Sequence, residues 1–263
     1  MQKAAILIIL TSILFSCIDH FEEGNIAFEE ESYEKAIYHY EKALIMDKSN
    51  WQIFHNLGRS YEEQENYEEA RKSYSEALSN NYNSIESFKG RARCYWELND
   101  IESSIMDLTT VLDINPDDFE SLHFRGKAYI KDLNYSDAYF DLQQAAQLQP
   151  DNMSAMYHLA ICKGQVGMLQ GALNTFNYVL NENDEFGRAY YNRGIINQRM
   201  NRFGQAIYDF SKALRLDVKN ADIYFRRGTC LAELGNKDGA CKDFKSAIKY
   251  DNSLKEYARQ YCQ

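Results

Sequence analysis

The sequence predicts an all-α fold of stacked helix–turn–helix units, and three observations predict it. Cut every 34 residues from Cys17, the chain falls into seven segments, 17–50, 51–84, 85–118, 119–152, 153–186, 187–220 and 221–254, with no insertion between them. Small residues recur at fixed places: Gly24, Gly58, Ala92, Gly126, Ala160, Gly194 and Gly228 at the eighth, and Ala36, Ala70, Ser104, Ala138, Ala172, Ala206 and Ala240 at the twentieth. Composition agrees, because only 2 prolines in 263 residues leave room for long uninterrupted helices.

Residues 1–16 stand apart from the repeats. Lys3 precedes a stretch from Ala4 to Phe15 that is broken only by Thr11 and Ser12. Twelve helical residues cover about 18 Å, short of a hydrocarbon core of roughly 30 Å, so a signal peptide fits and a transmembrane anchor does not. Leu14-Phe15-Ser16-Cys17 resembles the bacterial lipoprotein box, although Phe15 is bulkier than the usual residue there. That resemblance implies lipid chains on Cys17, enough for stable membrane anchoring. Ile18 after the cysteine, in place of Asp, implies by the same resemblance the outer membrane more than the inner one. The alternative is ordinary secretion to the periplasm with Cys17 as a plain thiol.

Within each segment the places follow helix geometry. Two helices approach to about 8–10 Å only where their crossing carries no bulk, which accounts for the small residues at places eight and twenty. Place twenty-four is large (Tyr40, Tyr74, Leu108, Leu142, Phe176, Phe210, Phe244) and fills the space beside that crossing. Asn66, Asn99, Asn134, Gly167, Asn201 and Gly235 fall at place fifteen or sixteen, where a helix ends on a residue that tolerates positive φ.

Over residues 17–254 this pattern resembles the tetratricopeptide repeat. Single repeats depart from it: Ser104 replaces Ala, Lys163 and Asn197 replace the Tyr of place eleven, and Pro116 and Pro150 alone keep the Pro place. The resemblance implies a right-handed superhelix of seven repeats, an α-solenoid whose first helices line a concave groove while the second helices form the convex side. Residues 255–263 continue helical and, with His20 and Glu23 of the first repeat, are expected to cap the ends.

Places seven and twenty-three change together. Arg91, Arg125, Arg193 and Arg227 accompany Asp107, Asp141, Asp209 and Asp243, whereas Leu57 accompanies Ser73 and Leu159 accompanies Thr175. An ion pair between the two helices of a repeat, exchangeable for an apolar–hydroxyl pair, explains the pattern.

Catalytic chemistry is not expected. His20, His39, His55, His123 and His158 form no metal-binding motif, and neither a phosphate loop nor a nucleophile elbow is present, so no enzyme, metal, cofactor or small-molecule substrate is predicted. A formal charge of −10 argues against nucleic acid as a partner. Cys94, Cys162 and Cys230 share place ten and read as structural thiols. In an oxidising compartment Cys230 and Cys241 are the candidate disulfide, and Cys262 is the thiol expected to be most exposed.

By the resemblance, places two, five, nine, twelve and thirteen face the groove. Places five and nine hold His55, Arg59, Lys89, Arg93, His123 and Lys127 in repeats two to four, and place five holds Tyr157, Tyr191 and Phe225 in repeats five to seven. The cations suit carboxylates of an acidic peptide, and exposed rings suit apolar side chains. Lys89 and Arg93 are similar to two residues of the carboxylate clamp of chaperone adaptors, but Phe21 and Arg59 depart from it and only Asn25 of its asparagines is kept, which implies a looser site. The alternative is that Glu62, Glu86, Glu97 or Glu120 neutralise the cations. These readings imply a non-catalytic scaffold or adaptor, lipid-anchored in the bacterial envelope, that holds a peptide segment of a partner protein. The alternative is a structural subunit of an envelope assembly that uses its convex face and edges.

Overall fold

The computed structural model describes residues 20–262; the expected signal peptide and Cys17, the expected site of lipidation, lie outside them. Among the described residues all regular structure is helical, and the chain divides into two compact units between Asp132 and Leu133. The first unit holds α1 (residues 20–29), α2 (Tyr33–Met46), α3 (Trp51–Glu63), α4 (Tyr67–Asn80), α5 (Ile85–Glu97), α6 (Ile101–Ile114) and α7 (Phe119–Lys131). The second holds α8 (Tyr135–Leu148), α9 (Met153–Gln165), α10 (Leu169–Glu182), α11 (Gly187–Arg199), α12 (Phe203–Arg215), α13 (Ala221–Glu233), α14 (Lys237–Ile248) and α15 (Lys255–Tyr261). Within each unit successive helices pack on one another as stacked helix–turn–helix pairs.

Local chemistry sets the helix ends. The last place of a segment caps the next first helix, as Asn50, Ser84, Asp118, Asn152 and Asn220 accept hydrogen bonds from backbone N–H groups one turn in. Turns inside the repeats reverse at place fifteen, where Glu31, Glu65, Asn99, Leu133, Gly167, Asn201 and Gly235 all have positive φ. This corrects the expectation for Asn66 and Asn134. Both sit one place later with φ of −87° as N-caps, and Glu65 and Leu133 take the left-handed position although neither residue type favours it.

The small–large contact is as the periodicity requires. A Cβ added at Gly194 would lie 2.7 Å from the Phe210 ring, and one at Gly228 would lie 2.7 Å from Phe244. Tyr40 and Tyr74 in the first unit, with Phe176, Phe210 and Phe244 in the second, are fully buried at these crossings.

Arg91, Arg193 and Arg227 each place two guanidinium nitrogens on the carboxylate of Asp107, Asp209 and Asp243, respectively. The departures from the repeat pattern are also bonded. Asn197 donates to Asp209 at 2.9 Å, Lys163 donates to the Thr175 hydroxyl at 3.1 Å, and the Ser104 hydroxyl donates to the Ala92 carbonyl at 2.8 Å.

The disulfide differs from the expected one. Cys241 is bridged to Cys262, and Cys230 is a free, buried thiol, as are Cys94 and Cys162. Place ten points Cys230 into the core, whereas Cys241, half-buried on α14, meets the end of α15. α15 also caps the second unit: Tyr257 and Tyr261 pack on Phe244, and Ala258 is buried.

Candidate functional site

In the first unit, the first helices α3, α5 and α7 carry the predicted cations, and the structure gives most of them partners inside the protein. Lys89 is buried, donates to Glu120 at 2.8 Å, and has Glu86 at 3.3 Å and Asp118 at 3.6 Å. Burial opposes its charge, but the Glu120 hydrogen bond and the neighbouring carboxylates outweigh it and raise the pKa. Arg93 forks onto both oxygens of Glu62, which also accepts the Tyr74 hydroxyl at 2.7 Å. Glu86 and Glu120 around Lys89, and Glu62 on Arg93, are thus the neutralising carboxylates of the alternative reading.

His55 donates to or accepts from the Ser87 hydroxyl at 3.0 Å and leans on the Tyr74 and Trp51 rings. Burial, with Arg59 next, lowers its pKa to about 4, so the imidazole is neutral at pH 7. Arg59 lies 4.3 Å from the centre of the Phe28 ring, and the His123 ring lies 5.8 Å from Phe119. Asn25, the retained clamp asparagine, accepts from Tyr40 and Asn56 at 2.9 Å each. A ready-made column of unpaired positive charge is therefore not what α3 and α5 present.

What α3, α5 and α7 do form is an open cleft of about 510 Å³ with an aromatic floor. Trp96 and Phe124 meet edge to face at 5.5 Å, and Lys127 sits above both rings. Glu62, Glu63, Glu65, Glu97, Tyr67 and Arg93 complete the wall. Of the predicted residues this cleft gathers Arg93 and Lys127; it leaves His55 and Lys89 outside. Trp96 stands at place twelve, a groove place by the resemblance, so its position was legible in the sequence.

In the second unit Tyr157, Tyr191 and Phe225 are half-buried, not exposed as expected. Tyr157 packs on Phe176 and Phe186 and accepts from Asn192 at 2.9 Å. Tyr191 packs on Phe210 and donates its hydroxyl to Asp222, and Phe225 lies between Phe244 and Tyr257. Large rings at place five reach back to the aromatic residues of place twenty-four, which is why they are drawn inward.

One group has metal-ligand chemistry among the described residues: His20, Glu23 and His39, which sequence spacing did not link. Among those residues no helix is long and apolar enough to cross a membrane.

Family models described as "TPR repeat" and "Tetratricopeptide repeat" match residues 24–65, and residues 51–84, 90–118, 187–220 and 221–254, respectively. The chain is similar to a crystal structure of a tetratricopeptide repeat protein from Parabacteroides merdae, at 25% identity and TM-score 0.67, over 94% of this chain and 99% of that one. It also shares its fold with YrrB, described as a TPR protein with an unusual peptide-binding site, at 20% identity and TM-score 0.62, over 67% of this chain and 91% of that one. PilF of Pseudomonas aeruginosa is a third structure of the same fold, at 16% identity and TM-score 0.65, over 81% of this chain and 98% of that one. No curated protein matches the chain in sequence.

Proposed function

Because this chain carries tetratricopeptide repeats, we propose that it is a non-catalytic scaffold that holds a segment of a partner protein against the first helices of residues 20–132. The observation that carries this reading is the Trp96 cleft. An aromatic floor of Trp96 and Phe124 takes an apolar side chain once the flexible Lys127 and Lys131 swing off the rings, because flat rings offer large contact area at small entropic cost. Glu63, Glu65 and Glu97 around it favour a neighbouring basic residue over an acidic one. An acidic segment would first have to displace Glu62 from Arg93 and Glu120 from Lys89. The described peptide-binding site of YrrB, which shares the fold, is in keeping with a repeat scaffold that binds peptide.

Anchoring through lipid on Cys17 in the bacterial outer membrane is part of the proposal. The Cys241–Cys262 bridge supports an oxidising compartment. Labelling with radioactive palmitate separates the possibilities: label on wild type and none on Cys17→Ser supports the anchor, and no label on either leaves secretion.

Affinity capture from envelope fractions with wild type, Trp96→Ala and Lys89→Glu/Arg93→Glu tests the surface. A partner lost with Trp96→Ala supports the cleft; a partner lost only with the charge reversal, in a variant whose circular dichroism shows it folded, restores the acidic ligand. Partners kept by all three move the assignment to the convex face. A specific observation favours that second reading: place twenty-two of the second helices exposes Tyr38 and Met106 in the first unit and Phe140 and Tyr208 in the second.

A further inference from the structure

We propose that His20, Glu23 and His39 bind a divalent transition-metal ion of the zinc type, clipping α1 to α2 in the first repeat. Places seven and twenty-three hold Arg with Asp in some repeats and Leu with a hydroxyl residue in others. The first repeat alone puts Glu23 at place seven and His39 at place twenty-three, and adds His20 one turn before Glu23 on the same face of α1. The two places that elsewhere hold a structural pair here hold two metal-ligand side chains, with a third, His20, beside them.

Their geometry fits one ion. Glu23 Oε2 lies 3.0 Å from His20 Nδ1 and 2.9 Å from His39 Nδ1, and the two nitrogens are 3.4 Å apart. A triangle of these sides has a point about 2 Å from all three corners, the length of zinc–imidazole and zinc–carboxylate bonds. Two imidazoles and one carboxylate on one face of an ion leave its remaining positions open, the donor set of zinc, cobalt, nickel and copper sites. Access is present, since the side chains of His20, Glu23 and His39 are 32%, 43% and 24% exposed. Tyr38 meets the His39 ring edge-on, with centroids 5.2 Å apart. Because the ligands come from both helices of the pair, binding joins α1 to α2.

The site is separate from the Trp96 cleft, so the two proposals stand or fall independently. The test is a titration of the untagged full-length chain in detergent with Co²⁺, followed by visible absorption, and then competition with Zn²⁺. Expected is one equivalent of Co²⁺, displaced by Zn²⁺, with affinity reduced at least about tenfold in His39→Ala and in Glu23→Gln. Zn²⁺ should also raise the thermal midpoint of wild type and leave that of His20→Ala/His39→Ala unchanged. Circular dichroism establishes that each variant is folded, and Glu23→Gln preserves shape should the histidine variants fail to fold. Absence of saturable 1:1 binding in wild type, or undiminished binding in Glu23→Gln and the histidine variants, overturns the proposal.

Discussion

Arg193 and Asp209 are joined by two hydrogen bonds, Nε to Oδ2 at 3.0 Å and Nη2 to Oδ1 at 2.6 Å, while Arg193 Nη1 reaches the Asn177 side chain of the preceding repeat at 2.8 Å. One guanidinium therefore ties α10, α11 and α12 together. Arg91 repeats the arrangement with Asp107 and Ser75, and Arg227 with Asp243 and Ser211. The pair thus joins consecutive repeats as well as the two helices of one repeat.

Removing one partner strands the other. Asp209 is 1% exposed, so Arg193→Leu is expected to destabilise the protein by about 3 kcal/mol. Arg193→Leu with Asp209→Ser recreates the Leu57 and Ser73 combination and should recover part of that loss. Urea denaturation of the two singles and the double measures the coupling; a double variant no better than the sum of the singles removes the idea that the pairs are exchangeable.

At the helix crossing, Gly194→Ala puts a methyl 2.7 Å from the Phe210 ring and should cost about 1–3 kcal/mol. The same change at Gly204, where an added Cβ meets nothing within 4 Å, should be neutral or stabilising. Thermal melts of the two variants compare them directly, and equal midpoints would contradict the close-packing account.

Acid should weaken the first unit through His55. Its folded pKa is lowered to about 4 by burial and then by Arg59, so below its ordinary 6.5 the unfolded chain binds a proton that the folded chain does not. Its contribution is complete above about pH 6.5 and is lost as pH falls toward 4. The urea midpoint should therefore fall between pH 7 and pH 5 by more in wild type than in His55→Gln, and equal falls would exclude His55 as the cause.

Reduction should loosen the C-terminal cap. The Cys241–Cys262 bridge closes a loop spanning 21 positions in sequence, and its loss is expected to cost about 2–4 kcal/mol. Denaturation with and without reductant should differ in wild type and in Cys230→Ala, and should not differ in Cys262→Ser. A reductant effect that disappears in Cys230→Ala would restore the bridge expected from the sequence.

The sequence by itself determined the helix pairs, their register and the small–large contact of Gly194 with Phe210, because these follow from a 34-residue period and 3.6 residues per turn. It also announced the exchange of Arg193 and Asp209 for Leu and a hydroxyl residue, since both places lie in one repeat. Only the tertiary structure decided which carboxylate each long cation takes, as with Arg93 on Glu62 and Lys89 on Glu120, residues 31 apart in sequence. It likewise decided that Cys241 meets Cys262 and that His20 joins Glu23 and His39 of places seven and twenty-three. The physical reason is reach. Periodicity fixes where a Cβ starts, but a flexible side chain ends among several partners, and the spacing and tilt of neighbouring helices choose between them.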